Sequence, residues 1–178
     1  MSYPPSFQWL NSLGLVRGKP GNADLAIPGS PLPVGQEVDQ WLPAPGGACH
    51  GLFQISSAAD APGRVHGGVM RLVRTLNLMA QAEVACRAVV IVAGPATPCV
   101  LKSAAYRERI AEPSLEENPN LPWWSVLRQE GVPVLVCLQA LAAQRLSLED
   151  VDTGIESVQS GLSAALALGR HGFVPLNL

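Results

Sequence analysis

Two short runs constrain the fold more than anything else in this chain. RAVVIVAG (87–94) and VPVLVCLQ (132–139) are continuous apolar stretches rich in β-branched residues. A strand with one wet face alternates apolar and polar residues; an unbroken run fits a strand covered on both faces. Helical patterns lie between and around these runs. Val69, Leu72, Val73, Leu76, Met79 and Ala80 recur at i, i+3, i+4, i+7 spacing, which predicts an amphipathic helix with Arg71, Arg74 and Asn77 off the apolar face. HGLFQIS (50–56) reads as a short strand before it. A helix is expected from Pro98 to about Ile110, with Pro98 in its first turn.

The remaining elements are marked by caps and stops. NPNLPWWSVLRQEG (118–131) offers Asn120 as a cap and Gly131 as a stop. ALAAQRL reads as a short helix, and SLED (147–150) has capping-box spacing with Ser147 as cap and Asp150 at the third position. A weak strand covers Ile155 to Val158, and Ser160 caps the helix GLSAALALGR (161–170), which ends near Gly172. FVPLNL is a last strand, placed by Pro175 at an edge or a bulge. Alternation of strand and helix requires crossover connections, so the expected class is α/β with a mainly parallel five-stranded sheet. In such sheets ligands collect outside the carboxyl ends of the strands.

Composition changes near residue 48. Residues 1–47 hold eight of the 16 prolines and seven of the 17 glycines, in pieces such as IPGSPLPVG that lack either periodicity. This reads as a proline/glycine-rich N-terminal arm preceding a domain over 48–178. The arm carries Trp9, Trp41, Leu10, Leu25, Ile27 and Leu42, so it is expected to lie across the body or a neighbouring subunit. The whole chain is 48% hydrophobic, only 15% charged, and has a net charge of −2. That composition excludes a disordered chain. With aromatics at 5% and no basic excess, a dedicated nucleic-acid binder is also excluded. No run reaches a membrane span, and MSYPPSFQWLNSLG lacks the basic and apolar regions of a secretory signal. A cytoplasmic protein without membrane contact is expected.

Candidate chemistry gathers at two strand ends. In AGPATPC (93–99), Gly94, Pro95, Ala96 and Thr97 form either a plain strand-to-helix turn or a ligand loop whose free N–H groups hold an anion. The loop is not a Walker motif and lacks its lysine. Cys137 lies near the carboxyl end of a predicted strand and just before a predicted helix. A thiol there feels the positive end of the helix dipole, which favours the thiolate. The competing reading makes Cys137 a small buried hydrophobe among Val134, Leu135 and Val136.

Cysteines 49, 86, 99 and 137 show no CxxC and no disulfide framework, which favours free thiols. Cys49 begins the first strand, Cys86 sits in a helix–strand connection and Cys99 lies in the first turn of a helix; all three read as structural, with Cys99 also the possible second thiol toward Cys137. His50, His66 and His171 are scattered without HxH or HxxxH spacing, so neither a metal nor an organic cofactor is expected. His66 reads as a surface or capping residue. Glu108, Glu112, Glu116 and Glu117 read as a solvated acidic loop. VQSGLS fails as a nucleophile elbow because Val158 stands where glycine is required.

Residues 48–178 resemble the DsrE/DsrF-like family, whose fold is shared with YchN-type proteins, and come nearest its uncharacterised intracellular sulfur-oxidation-type branch. The resemblance is carried by VHGGVMRLVRTLNLMA, AVVIVAGPAT, KSAAYRERI, NPNLPWWSVLRQEGVPVLVCLQALA and GLSAALALGRHGFVPL. Its most specific block is NPNL, then a helix, then V-C-x-Q-x-L-A. It implies a DsrEFH-like three-layer α/β/α sandwich that assembles with itself as a dimer, trimer or hexamer. It also implies a sulfur relay in which Cys137 takes the place of the family's persulfide cysteine. A pocket would be walled by Gly94, Pro95, Ala96 and Thr97, with Gln139 on the ligand side, and sulfur-donor and sulfur-acceptor proteins would be the partners. The chain departs from the family pattern at Leu138, at Gln144-Arg145-Leu146, and at Ala93-Gly94, where relatives have His-Gly. A bulky Leu138 is expected to narrow the loop. The resemblance thus supports a sulfurtransferase-like carrier; the departures favour a non-enzymatic assembly module with an inert Cys137. A thiol-peroxidase-like protein, with Thr97 as activating group, is a third reading.

Overall fold

The computed structural model describes residues 48–81, 84–110 and 114–178. The expected arm and Glu112 lie outside them. Five strands form one sheet: β1 (Ala48–Ile55), β2 (Ala85–Val92), β3 (Val134–Cys137), β4 (Glu156–Val158) and β5 (Val174–Asn177). Their order is β4-β3-β2-β1-β5, and every pairing is parallel. The sheet is built on β1 and β2, which pair over eight rungs from Ala48↔Ala85 to Ile55↔Val92. From Ala88 to Val92 every residue of β2 is buried, as an unbroken apolar run requires. Pro175 lies on the edge strand β5, where its missing N–H leaves the ladder intact.

The strand order determines where the helices go. From β1 the chain steps outward to β2, β3 and β4, and right-handed crossovers place the intervening helices on one face. These are α1 (Gly67–Gln81), a 3-10 helix (Gly94–Val100), α2 (Ser103–Ile110), α3 (Leu121–Gln129) and α4 (Leu138–Ala143). The return from β4 to β5 runs the opposite way, so α5 (Gly161–Arg170) covers the other face. The core is correspondingly uneven. The α1 side holds a large cluster including Phe53, Ile55, Leu72, Leu76, Val90, Val92, Trp124, Leu127 and Val136. The α5 side holds a small cluster, Leu52, Val89, Ile91 and Phe173.

Several expectations need correction. The helix expected over 98–110 is two elements. Pro98 falls inside the 3-10 helix, and the chain extends at Leu101, which bridges antiparallel to Val151. Backbone bonds from Lys102 N–H to Asp150 O (2.8 Å) and from Asp152 N–H to Val100 O (3.0 Å) hold that break. Cys86 is the second residue of β2, because the full-length pairing with β1 starts the strand early. Asn77 is buried: it follows Val73 by four residues and falls on the flank of the apolar stripe. On α5, whose cap and end are the features expected from the sequence, Leu162 and Leu166 are 77% and 75% exposed.

Caps fared unevenly. Ser160 Oγ accepts from Ser163 N–H, as expected of a cap. The Ser147 N–H and Oγ both donate to the Asp150 carboxylate, at 2.7 and 3.0 Å. Asn120 precedes α3 but makes no side-chain cap. Its Oδ1 accepts from His66 N–H at 2.7 Å and its Nδ2 donates to Asn118 Oδ1 at 2.9 Å. Asn118 Nδ2 in turn donates to the carbonyls of Pro98, Cys99 and Leu101, and Trp124 Nε1 donates to Cys99 O at 2.8 Å. Both asparagines are buried. The NPN segment is therefore a polar hub that adds a donor to carbonyls of the 3-10 helix and supplies one to the extended Leu101.

Candidate functional site

The carboxyl ends of β1, β2, β3 and β5 and the start of α5 surround one cleft of about 430 Å³. Its lining includes Gln54 and Ser56 from β1 and its end, Ala93 and Gly94 after β2, Cys137 and Gln139 around the β3–α4 junction, and Ser160, Gly161 and Asn177. Cys137 is the last residue of β3 and the residue preceding α4. Alternation along β3 sends Val134 and Val136 into the α1-side core and turns Cys137 to the α5 side. There its Sγ accepts the backbone N–H of Gly161, the first residue of α5, at 3.2 Å. The positive end of the α5 dipole thus points at the sulfur, in addition to that of the short α4. Cys137 is 6% exposed and lines the cleft.

Gly161 permits that approach. A Cβ there would stand 3.1 Å from Ile91 Cγ2 and 3.5 Å from Cys137 Cβ. Gly94 has a different reason to be glycine. Its φ of +52° turns the chain sharply after β2, and a Cβ would lie 3.2 Å from the Ser56 carbonyl. The Gly94 carbonyl accepts from Thr97 Oγ1 at 3.2 Å and from Gln144 Nε2 at 2.5 Å, and Gln144 Nε2 also donates to Thr97 Oγ1. Gln144 thereby ties the end of α4 to the loop after β2. It and Gly161 are the residues that sequence reasoning missed. A Ser-Gly pair opening an apolar helix was visible for Gly161, but nothing local marks its distance from Cys137.

The structure brings together Cys137, Gly94 and Gln139 at the cleft and separates the other candidates from it. Thr97 is fully buried and bonded to Gly94 and Gln144; Ala96 is buried, and Pro95 points to solvent. None of these three lines the cleft. The tight 3-10 winding that begins at Gly94 turns them away from it. Cys99 is buried in the α1-side core against Trp124, and burial pushes its thiol well above the ordinary range. It does not line the cleft, so the geometry does not make it a second thiol for Cys137. Leu138 leaves the cleft open, because it packs against the α1-side core.

His66 is buried and structural rather than on the surface. Its Nδ1 accepts from Gly68 N–H at 2.9 Å, capping the first turn of α1, which leaves the proton on Nε2 to donate to Ser57 O at 2.9 Å. Among the described residues no three His, Cys, Asp or Glu side chains gather as a metal site. No helix there is long and apolar enough to cross a membrane.

No protein-family model matches the sequence, and no curated protein is a significant match to it. Solved structures do match. The protein of unknown function MTH1491 from Methanobacterium thermoautotrophicum superposes with a TM-score of 0.53 at 21% identity, over 73% of this chain and 99% of that one. The ychN protein from E. coli is similar at 14% identity and a TM-score of 0.49. That match covers 72% of this chain and 99% of that one. The parallel five-stranded sheet and its helices thus form an α/β domain with the fold of MTH1491.

Proposed function

We propose that the chain is a sulfur carrier that holds sulfane sulfur as a persulfide on Cys137. The observation that carries the reading is the placement of the Cys137 sulfur: it faces a 430 Å³ cleft at the carboxyl ends of the strands, with the Gly161 N–H 3.2 Å away. A donor N–H and the end of a helix dipole stabilise negative charge on sulfur, and an anionic sulfur is the attacking species in sulfur transfer. The resemblance of the V-C-x-Q-x-L-A block to a persulfide-bearing family points the same way.

The chemistry is exchange at sulfur. The Cys137 thiolate attacks the outer sulfur of a donor persulfide; the new S–S bond forms as the donor S–S bond breaks, and the donor leaves as a thiolate. A thiolate of the acceptor then attacks the outer sulfur of Cys137–S–SH and releases the Cys137 thiolate. Neither step needs an external oxidant, a metal or an organic cofactor. Gln139 and Gly94 flank the space into which the outer sulfur would project. Incubation of the whole chain with a persulfide donor, followed by intact-mass measurement, should add one sulfur atom to the protein and none to Cys137→Ser. No adduct under donor excess would sink the proposal.

A different observation favours a second reading, an assembly module with an inert Cys137. Leu162 and Leu166 lie one turn apart on α5 and are exposed. An apolar stripe of that kind suits contact with another copy of the chain. Removing residues 1–40 should lower the oligomeric state seen by light scattering if the arm docks between subunits; an unchanged state counts against that role.

A further inference from the structure

The fold places a pair of sulfur atoms far along the sheet from Cys137. Register pairs Cys49 of β1 with Cys86 of β2, one rung from the amino ends of both strands. Register partners on neighbouring parallel strands project to the same face, here the α1 side, where Cys86 joins the core and Cys49 packs against it. Cys137 lies at the carboxyl end and faces the α5 side. The pair and Cys137 are therefore separated along the strands and lie on opposite faces, so the chemistry of the pair is independent of the reading of Cys137.

The pair is asymmetric. Cys86 is 2% exposed, whereas Cys49 is partly open to solvent. The two thiols are hydrogen bonded to each other. That bond, made by the Cys86 thiol to the Cys49 sulfur, draws the Cys49 thiol down to about 7 against the opposing effect of burial. The same bond, together with burial, pushes Cys86 up. A partly exposed sulfur whose thiol is lowered toward the thiolate is suited to attack. Once Cys49 carries oxygen it no longer holds the Cys86 proton in the same way, and Cys86, its register partner, can give up that proton and resolve the product as the thiolate. Neighbouring strands run about 4.8 Å apart. Disulfides span Cα separations of about 4.4–6.8 Å, so a bridge across this rung requires no strand to move apart.

We propose that Cys49 and Cys86 form a peroxide-sensitive dithiol in which Cys49 is oxidised first and Cys86 closes the disulfide. The Cys49 thiolate attacks one oxygen of hydrogen peroxide; an S–O bond forms, the O–O bond breaks, and the departing hydroxide takes a proton to become water. Cys86 then attacks the Cys49 sulfur; the S–S bond forms, the S–O bond breaks, and the leaving hydroxide takes the Cys86 proton as a second water. Two thiols lose two electrons and one peroxide gains them. The product ties β1 to β2 at their amino ends, and external thiols return it to the dithiol by exchange.

The test uses the whole, fully reduced chain. It is treated with hydrogen peroxide, quenched, alkylated, unfolded and digested, and each cysteine is mapped by mass. The expected product is a Cys49–Cys86 linked peptide pair that dithiothreitol abolishes, formed equally in Cys137→Ser. In Cys86→Ala the link is lost and Cys49 is captured as a sulfenic acid by dimedone; in Cys49→Ala, Cys86 stays reduced. Recovery of Cys49 and Cys86 as free thiols at peroxide levels that oxidise Cys137 would overturn the proposal. So would accumulation in the unmodified sequence of Cys49 sulfinic acid, or of a disulfide joining Cys49 to another chain. The mapping on the unmodified sequence decides the matter even if a variant fails to fold.

Discussion

The two faces of the sheet are closed in different ways. The α1 side is covered by four helices and a 3-10 segment, and its interior is stitched by the Asn118–Asn120 hub, Trp124 and the His66 cap. The α5 side is covered by one ten-residue helix over a four-residue apolar cluster. Cys137 sits on the thinner side, at the one point where α5 approaches closely enough to donate an N–H to its sulfur. One face is specialised for holding the domain together and the other leaves room for a ligand. Strand order is the cause: three outward crossovers stack their helices on one side and a single return crossover supplies the other.

Breaking the α1 side should cost stability without touching the cleft. Asn118→Ala strands the carbonyl of Leu101 and two donors of Asn120, and takes a second donor from the carbonyls of Pro98 and Cys99, which keep Leu101 N–H and Trp124 Nε1. Buried groups left without partners cost about 1–3 kcal/mol each before relaxation, so a net loss of about 3 kcal/mol is expected in denaturant melts. The folded fraction should still take up sulfur at Cys137.

Breaking the α5 side should do the reverse. Gly161→Ala sets a methyl 3.1 Å from Ile91 Cγ2, so that Ile91 or the start of α5 must give way; the expected result is that the N–H moves off the sulfur. A loss of about 1–2 kcal/mol is expected from overpacking. Sulfur uptake should fall by much more than that modest loss of fold explains. Equal uptake by Gly161→Ala and the unmodified chain would show that the N–H on Cys137 is irrelevant to its reactivity.

Arg145→Gly sharpens the comparison from the other direction. Arg145, just past α4, has a φ of +58°. A side chain in that left-handed region costs about 1 kcal/mol, so glycine should raise stability by about that much and leave the cleft chemistry as it was. The smallest effect on stability belongs to Leu162→Ser with Leu166→Ser. Both side chains are in solvent, so the melt should move by less than about 0.5 kcal/mol. If α5 is a contact between copies, the same pair lowers the sedimentation coefficient; no change in sedimentation removes that role.

The pattern of legibility follows the same division. β2, β3 and α1 are plain in the sequence because a continuous apolar run and a 3.6-residue stripe are local signals. Ser160, Pro175 and the position of Cys137 at a strand end are legible for the same reason. The NPN segment reads locally as a cap because capping is the local use of asparagine, whereas Asn118 and Asn120 bond to groups up to 54 residues away. Thr97 and Cys99 stay open in the sequence as a loop residue and a possible second thiol because it suggests an α-helix where the chain winds as a 3-10 helix and turns both into the core. The pairing of Cys49 with Cys86 depends on strand order and register, neither of which a window of sequence contains.

The central claim is that, of the four thiols, Cys137 is the one built to carry sulfur. Its most direct test is to treat the whole chain with a persulfide donor and map the added sulfur cysteine by cysteine. The account predicts one sulfur atom on Cys137, removable by a thiol acceptor, with Cys99 and Cys86 untouched. Sulfur found on Cys49 in place of Cys137, or on no cysteine at donor excess, would contradict it.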